Sequence, residues 1–316
     1  MEKAPIQADI FPEFTPEALR RDIEVVLRDS RLSQHDSRSP RAERQAFVQE
    51  YIEQLDLNRR AAIQFGRERK YTPDKIALAA TMYGCEMVRA NLWINPQEKL
   101  RDLNTLRQSI TWQNDAAEYI LRTNQLPSRD ARARLQAFWY NQNKLLDPFF
   151  KDATYESNLF RYQNGILRSV MVLHTLRTMN GWEAAPPPDP DDDAIHKIDA
   201  VAKSDKGINF VFQLKPQGEG EVDAAHPITL TPVLPDSMPD RSDDVLYPFW
   251  QGMTNFGRKY SIPSDRLVGV HAKIATHSLD HLTGLPTDSA ALYLSNQVDA
   301  LDMQLSARLD TSENAA

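Results

Sequence analysis

The chain has one cysteine, Cys85, in 316 residues, which excludes an internal disulfide and fits a reducing compartment. No apolar run approaches the ~20 residues needed to cross a bilayer, so no membrane span is expected. The opening residues, Met1-Glu2-Lys3-Ala4-Pro5, lack a signal-peptide core, and a cytoplasmic location is the expectation. Glycine is scarce, at 11 residues, and no glycine-rich phosphate loop can be traced. No internal repeat recurs, which argues against a solenoid. Cys85 itself sits among Met82, Tyr83 and Met87, the surroundings of a packed helix position rather than of a nucleophile.

Hydrophobic residues make up 41% and charged residues 26%, enough of each for a soluble chain with a real core. The length allows one large or two ordinary domains. Charge is uneven. Residues 1–150 carry 23 Lys+Arg against 21 Asp+Glu, whereas residues 151–316 carry 14 against 23. Phosphate contacts come from Lys and Arg, so the acidic second half is not expected to grip nucleic acid strongly by itself. The first half or a partner protein would have to help.

Residues 1–150 read as an all-helical domain. Thr15-Pro16-Glu17 is a helix start with Pro at the first position, followed by a stripe of Ala18, Leu19, Ile23, Val26 and Leu27. Residues 38–44 form a polar break. Helices are predicted over 46–68, 72–93, 100–124 and 128–146, and no strand is expected before residue 150. Arg129, Arg132 and Arg134 mix with Phe138, Trp139 and Tyr140. That combination can bind nucleic acid by stacking and phosphate contact. In a helical bundle the same aromatics more commonly form core and the arginines a solvated face.

Residues 151–316 alternate between patterns. A long helix is predicted over 155–180, stopped by Asn180-Gly181, then a short strand over 182–185. Residues 189–193, Asp-Pro-Asp-Asp-Asp, read as a loop. Residues 197–215 read as a β-hairpin closed by Asp205-Lys206-Gly207, with glycine in the left-handed position. That loop pairs Ser204 with Ile208, which sets Ala200 opposite Phe212, Asp199 opposite Gln213 and Lys197 opposite Lys215. One face then carries Ile198, Ala200, Ala202, Phe210, Phe212 and Leu214, all apolar. The other carries Lys197, Asp199, Val201, Val211, Gln213 and Lys215, and reads as a polar, solvated face. A further strand over 227–234 contains Pro232, which demotes it to a sheet edge. A helix from about 241 to 260, a strand over 267–275 and a last helix over 288–309 follow. His277 and His281 have metal-ligand spacing, but the intervening residues lack a metalloprotease Glu and Gly284-Leu285-Pro286 follows at once.

The order helix, strand, strand, strand, helix, strand, with Asp on the second strand and Gln213-Leu214-Lys215 on the third, resembles the PD-(D/E)xK nuclease superfamily. The resemblance covers roughly residues 155–275. It implies an αβββαβ, restriction-endonuclease-like domain after the helical one, hence an α + α/β chain. It implies that Asp199 binds Mg²⁺ or Mn²⁺, that Gln213 stands in the usually acidic position, and that Lys215 assists the attacking water. Many members add a Glu within the first helix. Here that stretch reads Ile166-Leu167-Arg168-Ser169-Val170, leaving Glu156 as the nearest carboxylate and Gln163 as a neutral alternative. The implied ligand set is therefore Asp199, Gln213 and Glu156. The expected function is a metal-dependent nuclease acting on DNA or RNA, in a defence or mobile-element setting, with a protein partner reached through the helical domain. The rival reading is a non-catalytic binding or assembly protein that keeps a degenerate form of the same fold.

Overall fold

Proline and helical spacing set the boundaries of the first half. The computed structural model describes residues 41–68, 70–94, 103–146, 153–217 and 227–313. The predicted helix after Thr15 and the predicted boundary near Asp147-Pro148 lie outside the described residues. Four helices fill the rest of residues 41–146: α1 (Arg41–Glu68), α2 (Pro73–Ile94), α3 (Leu103–Thr123) and α4 (Ser128–Leu146). No strand occurs among the described residues before 150. The polar break expected at 38–44 is not one from Arg41 onward, because α1 runs through it. Arg and Glu are good helix formers, and an exposed first turn needs no apolar stripe.

Val48, Ile52 and Leu55 recur at helical spacing on α1 and pack on Met87 and Ala90 of α2. Arg59 of α1 holds Asp115 of α3 through two bonds of 2.7 Å. Arg134 of α4 reaches Asp74 of α2 at 3.0 Å. Cys85 is fully buried, and burial pushes its thiol far above the ordinary range, as a packed and inert cysteine requires. Phe138 and Trp139 are core, ringed by Tyr119, while Tyr140 is exposed.

The chain divides into two compact units, Met1–Gln163 and Asn164–Ala316. The division falls inside helix α5 (Ala153–Thr178) rather than at residue 150.

The second unit is mixed α/β. Its strands are β1 (Glu183–Ala185), β2 (Ala200–Lys203), β3 (Asn209–Pro216), β4 (Ile228–Val233) and β5 (Leu267–Ile274). Its further helices are α6 (Pro190–Ala194), α7 (Leu246–Lys259) and α8 (Asp288–Glu313). The sheet order is β1-β2-β3-β5-β4. β3 and β5 are parallel and every other pair is antiparallel. A parallel pair needs a crossover, and α7 lies in it. β4 is an edge strand, which is where Pro232 can be tolerated. Asp243 starts α7 by accepting from the Val245 and Leu246 N–H groups at 2.9 and 2.7 Å.

The hairpin has apolar Phe210, Phe212 and Leu214 on one side, as expected. Its other side is not solvated. Val211 is fully buried beneath Phe249, Met253 and Phe256 of α7. These recur at i, i+4 and i+7, so α7 presents one apolar stripe to the sheet. With Val211 lies Ile198, which was expected on the opposite face with Phe210 and Phe212 but follows Lys197, whose φ of 61° leaves the strand. Gly269 of β5 makes the fit possible, since a Cβ there would stand 2.8 Å from the Met253 sulfur.

Candidate functional site

The tip of the hairpin fixes its register. Gly207, at φ 79°, donates its N–H to the Ser204 carbonyl at 3.0 Å, and Ser204 N–H donates to Ile208 at 3.0 Å. Ala200 then faces Phe212 and Val201 faces Val211. The ladder stops at Ala200. One residue earlier, Asp199 donates its N–H to the Phe212 carbonyl at 2.7 Å, and its Oδ2 accepts the Leu214 N–H at 2.6 Å. Asp199 therefore brackets Gln213 between its two bonds. The carboxylate takes the place of a ladder carbonyl, which fixes its position against β3.

Lys197 departs from the expected pairing with Lys215. It adopts φ 61° and donates Nζ to the Ala194 carbonyl at 3.0 Å. The cause lies just upstream. Residues 189–193, expected as a loop, begin helix α6: Asp189 caps it by accepting the Asp191 N–H at 2.9 Å, and Pro190 occupies the first turn. Residues after α6 wrap its end, with Lys197 N–H on the Asp193 carbonyl and Ile198 N–H on the Asp192 carbonyl, both at 3.0 Å. This closure replaces the first rungs of the ladder.

Helix α6 is too short to hold itself, and α7 anchors it. Asp192 is fully buried and accepts from Lys259 Nζ at 2.8 Å and from Tyr260 OH at 2.7 Å. Gly252 of α7 lies against the His196 carbonyl so closely that a Cβ would fall 2.0 Å from its oxygen. The segment carrying Asp193, Lys197 and Asp199 is thereby pinned to α7.

Charge gathers at this segment. Burial pushes the Asp199 carboxyl above the usual range, and the Leu214 N–H, Lys215, Arg168 and Lys197 pull it back. Burial also pushes Asp193 well above the usual range; the nearby Asp199 charge adds to this, while Lys215 and Lys197 oppose it. Arg168 of α5 is lowered by burial and raised by Asp199. Two carboxylates and three cations thus interact, with Lys215 acting on both acids.

Beside them, parallel pairing sets Gln213 next to His271 and Lys215 next to Lys273. Gln213 and His271 are each 4% exposed, and neither Gln213 Oε1 nor His271 Nε2 has a hydrogen-bond partner among the described residues. Burial, Lys215 and Lys273 lower the His271 pKa, Asp243 opposing, so its imidazole is neutral at pH 7.

Asp199, Gln213 and Lys215 are therefore brought together. Glu156 lies near the start of α5, in the other compact unit, and its side chain is outside those described. His277 and His281 are exposed; His277 falls in a single 3₁₀ turn and His281 beyond it, off any helix. Among the described residues no three His, Cys, Asp or Glu side chains converge as a metal set. Sequence reasoning missed Asp193, Arg168 and His271. The one local signal for Asp193 was the Asp189-Pro190 helix start, ten and nine residues before Asp199. No protein-family model, curated protein or solved structure matches the chain.

Proposed function

We propose that the second unit is a metal-dependent nuclease of PD-(D/E)xK type, with Gln213 in the position the resemblance makes acidic. The observation that carries this reading is the Asp199 carboxylate fixed against β3 by the Leu214 N–H at 2.6 Å, beside Gln213, whose buried Oε1 has no partner among the described residues, with Lys215 two residues further along the same strand. The element order supports it: α5, β1, β2, β3, α7 and β5 run helix, strand, strand, strand, helix, strand, with the short α6 inserted between β1 and β2 and the edge strand β4 between β3 and α7.

The residues present fit Mg²⁺ or Mn²⁺. Asp199 and Gln213 offer oxygen donors, which suit a hard divalent cation that keeps waters and phosphate oxygens as its other ligands. When bound, such a cation supplies Lewis-acid charge and lowers the pKa of a water. The chain does the rest. The Leu214 N–H holds the Asp199 carboxylate still. Lys215 sets an ammonium where charge develops on the phosphorus, an interaction worth most in a water-poor site. The acidic balance of this half leaves strand binding to the helical unit or to a partner.

The test is cleavage of labelled single-stranded and duplex DNA and RNA with Mg²⁺ or Mn²⁺. Asp199→Ala abolishes metal-dependent cleavage. Lys215→Ala keeps metal binding but slows cleavage about 10²–10³-fold, the usual loss of one charge-stabilising donor. Cleavage that survives Asp199→Ala refutes the site. The rival reading, a non-catalytic assembly protein, is favoured by Arg168, whose guanidinium acts on Asp199 from the stretch of α5 where the resemblance expects an acid. Wild-type protein that neither binds metal nor cuts any of these substrates decides for it.

A further inference from the structure

We propose that His271 and Lys273 of β5, beside Lys215 of β3, form a contact site for a phosphate group of the nucleic-acid strand. The inference rests on the nuclease reading for its ligand and adds two residues of β5 which that reading does not contain.

The register of the sheet carries it. On the side covered by α7, strands β3, β5 and β4 present their residues in rows. The first row is Val211, Gly269 and Val233, apolar and packed under Phe249 and Met253 of α7. The second is Gln213, His271 and Thr231, and the third is Lys215, Lys273 and Thr229. The face therefore turns from apolar to polar toward the carboxyl ends of the two parallel strands, the end at which open α/β sheets bind ligands. None of the residues in the two polar rows is acidic, although this half of the chain is acidic as a whole. Asp199 adjoins them at Gln213, so metal and phosphate would be neighbours.

Each polar row has a feature that a folding role leaves unexplained. In the second, His271 is 4% exposed and its Nε2 has no hydrogen-bond partner among the described residues. Asp243, the acid that acts on His271, has its Oδ1 taken by the Val245 and Leu246 N–H groups. In the third, two lysines are direct neighbours across the parallel pair, both half-buried, and like charges so placed in a sheet repel. Lys215 also acts on Asp199 and Asp193, and Lys273 adds the second cation. An anion between the two ammonium groups relieves their repulsion. A phosphate has oxygens enough to accept from both and from His271 Nε2, in the tautomer that carries its proton there; a carboxylate has only two.

The experiment uses the full chain in EDTA, where metal-dependent cleavage is silent. It reads the anisotropy of fluorescein-labelled single-stranded and duplex DNA and RNA over a salt series. Lys273→Gln weakens binding about tenfold and lowers the slope of log affinity against log salt by about 1, the loss of one phosphate contact. His271→Phe removes a neutral donor, so it weakens binding about three- to tenfold and leaves the slope unchanged. Lys273→Arg keeps the charge and most of the affinity. Lys203→Gln, which removes an exposed cation at the other end of the hairpin, stays within about twofold of wild type. Thermal melts establish that each variant is folded, and Lys273→Met replaces Lys273→Gln where the latter is not. If the Lys273 and His271 variants bind like wild type while Asp199→Ala stops cleavage, β5 holds no phosphate and the nuclease reading stands. If they weaken binding as stated but no substrate is cut with Mg²⁺ or Mn²⁺, the phosphate contact stands and the nuclease reading falls. Wild-type protein that binds none of the labelled strands overturns the proposal.

Discussion

Replacing Gly252 by alanine tests how the site is held, and the sign of the result decides. In an exposed helix interior, Gly→Ala stabilises by about 1 kcal/mol through helix propensity. At Gly252 the new Cβ would meet the His196 oxygen at 2.0 Å, its carbonyl carbon at 2.7 Å and its Cα at 2.8 Å. Ordinary contact begins at 3.4 Å, so the two backbones must part by roughly 1.4 Å. The obstacle is main chain, pinned by the bonds around Asp192 and Asp193, and cannot rotate away. Overpacking of this kind costs about 3 kcal/mol, the upper end of its usual range, leaving a net loss of about 2. For a unit of this size that lowers Tm by roughly 4–8 °C. Gly257→Ala, one and a half turns on in α7, is the control. Its Cβ would meet the Leu267 Cδ2 at 2.6 Å, the end of a flexible side chain, and the Ile262 oxygen at an ordinary 3.6 Å. It should therefore cost less than Gly252→Ala. Thermal unfolding followed by circular dichroism, with and without Mg²⁺, reads both effects. A Gly252→Ala protein that melts at or above wild type would refute the claim that α7 clamps the Asp193–Asp199 segment.

In the first unit, Arg59→Ala strands a nearly buried Asp115 carboxylate and should cost about 3 kcal/mol in urea unfolding, much more than the double replacement by apolar residues of similar size. Stability should also depend on pH through Asp193 and Asp199. Both carboxyls are raised in the folded chain, so above ~4 the unfolded chain releases protons that the folded chain still holds. Stability then falls as pH rises through that window. Urea melts at about pH 5 and about pH 8 should show this loss in wild type and a smaller one in Asp193→Asn; an equal loss in both would remove Asp193 from the cause.

The hairpin was legible in the sequence because two local signals agree. The 205–207 loop sets a register, and that register sorts Ala200, Ala202, Phe210, Phe212 and Leu214 onto one side, although Ile198, assigned to the same side, lies with Val211 under α7. Pro73 and Ser128 mark helix starts for equally local reasons, and Pro232 could only belong to an edge. Three features were not legible because they depend on distant partners. Helix α6 has five residues and no apolar face, so its Asp189-Pro190 start does not suffice to predict it; Lys259 and Tyr260, some 70 residues on, hold it. The polar-looking side of the hairpin is buried because α7 covers it, and a strand pattern does not reveal what covers its second face. The displacement of Lys197 from the ladder follows from α6 and was hidden with it. Of the candidate site, register put Asp199, Gln213 and Lys215 on one face and the resemblance gave them roles, whereas Asp193 and Arg168 act on Asp199 through tertiary structure.

Three aspartates show why this cluster differs from an ordinary buried ion pair. Asp115 is raised by burial, yet both its oxygens are held by Arg59 at 2.7 Å. Asp192 is fully buried, and Lys259 and Tyr260 take its two oxygens. Each has structural partners that account for its burial. Asp193 is raised well above the usual range and has no donor among the described residues, although Lys215 and Lys197 act on it from nearby. Had the segment served only to close the fold, Asn or Ser at 193 would give the same helix end without the repulsion from Asp199. The fold instead fastens the Asp199 carboxylate to β3 by a 2.6 Å bond and anchors Asp192, beside Asp193, to α7. Burial and Asp199 raise Asp193 while Lys215 and Lys197 oppose it, and perturbed groups gathered this way mark functional sites more than structural ones. On the proposed reading, Asp199 and Gln213 would hold a divalent cation, which would give the Gln213 oxygen, unpartnered among the described residues, a ligand role and leave Lys215 for phosphate.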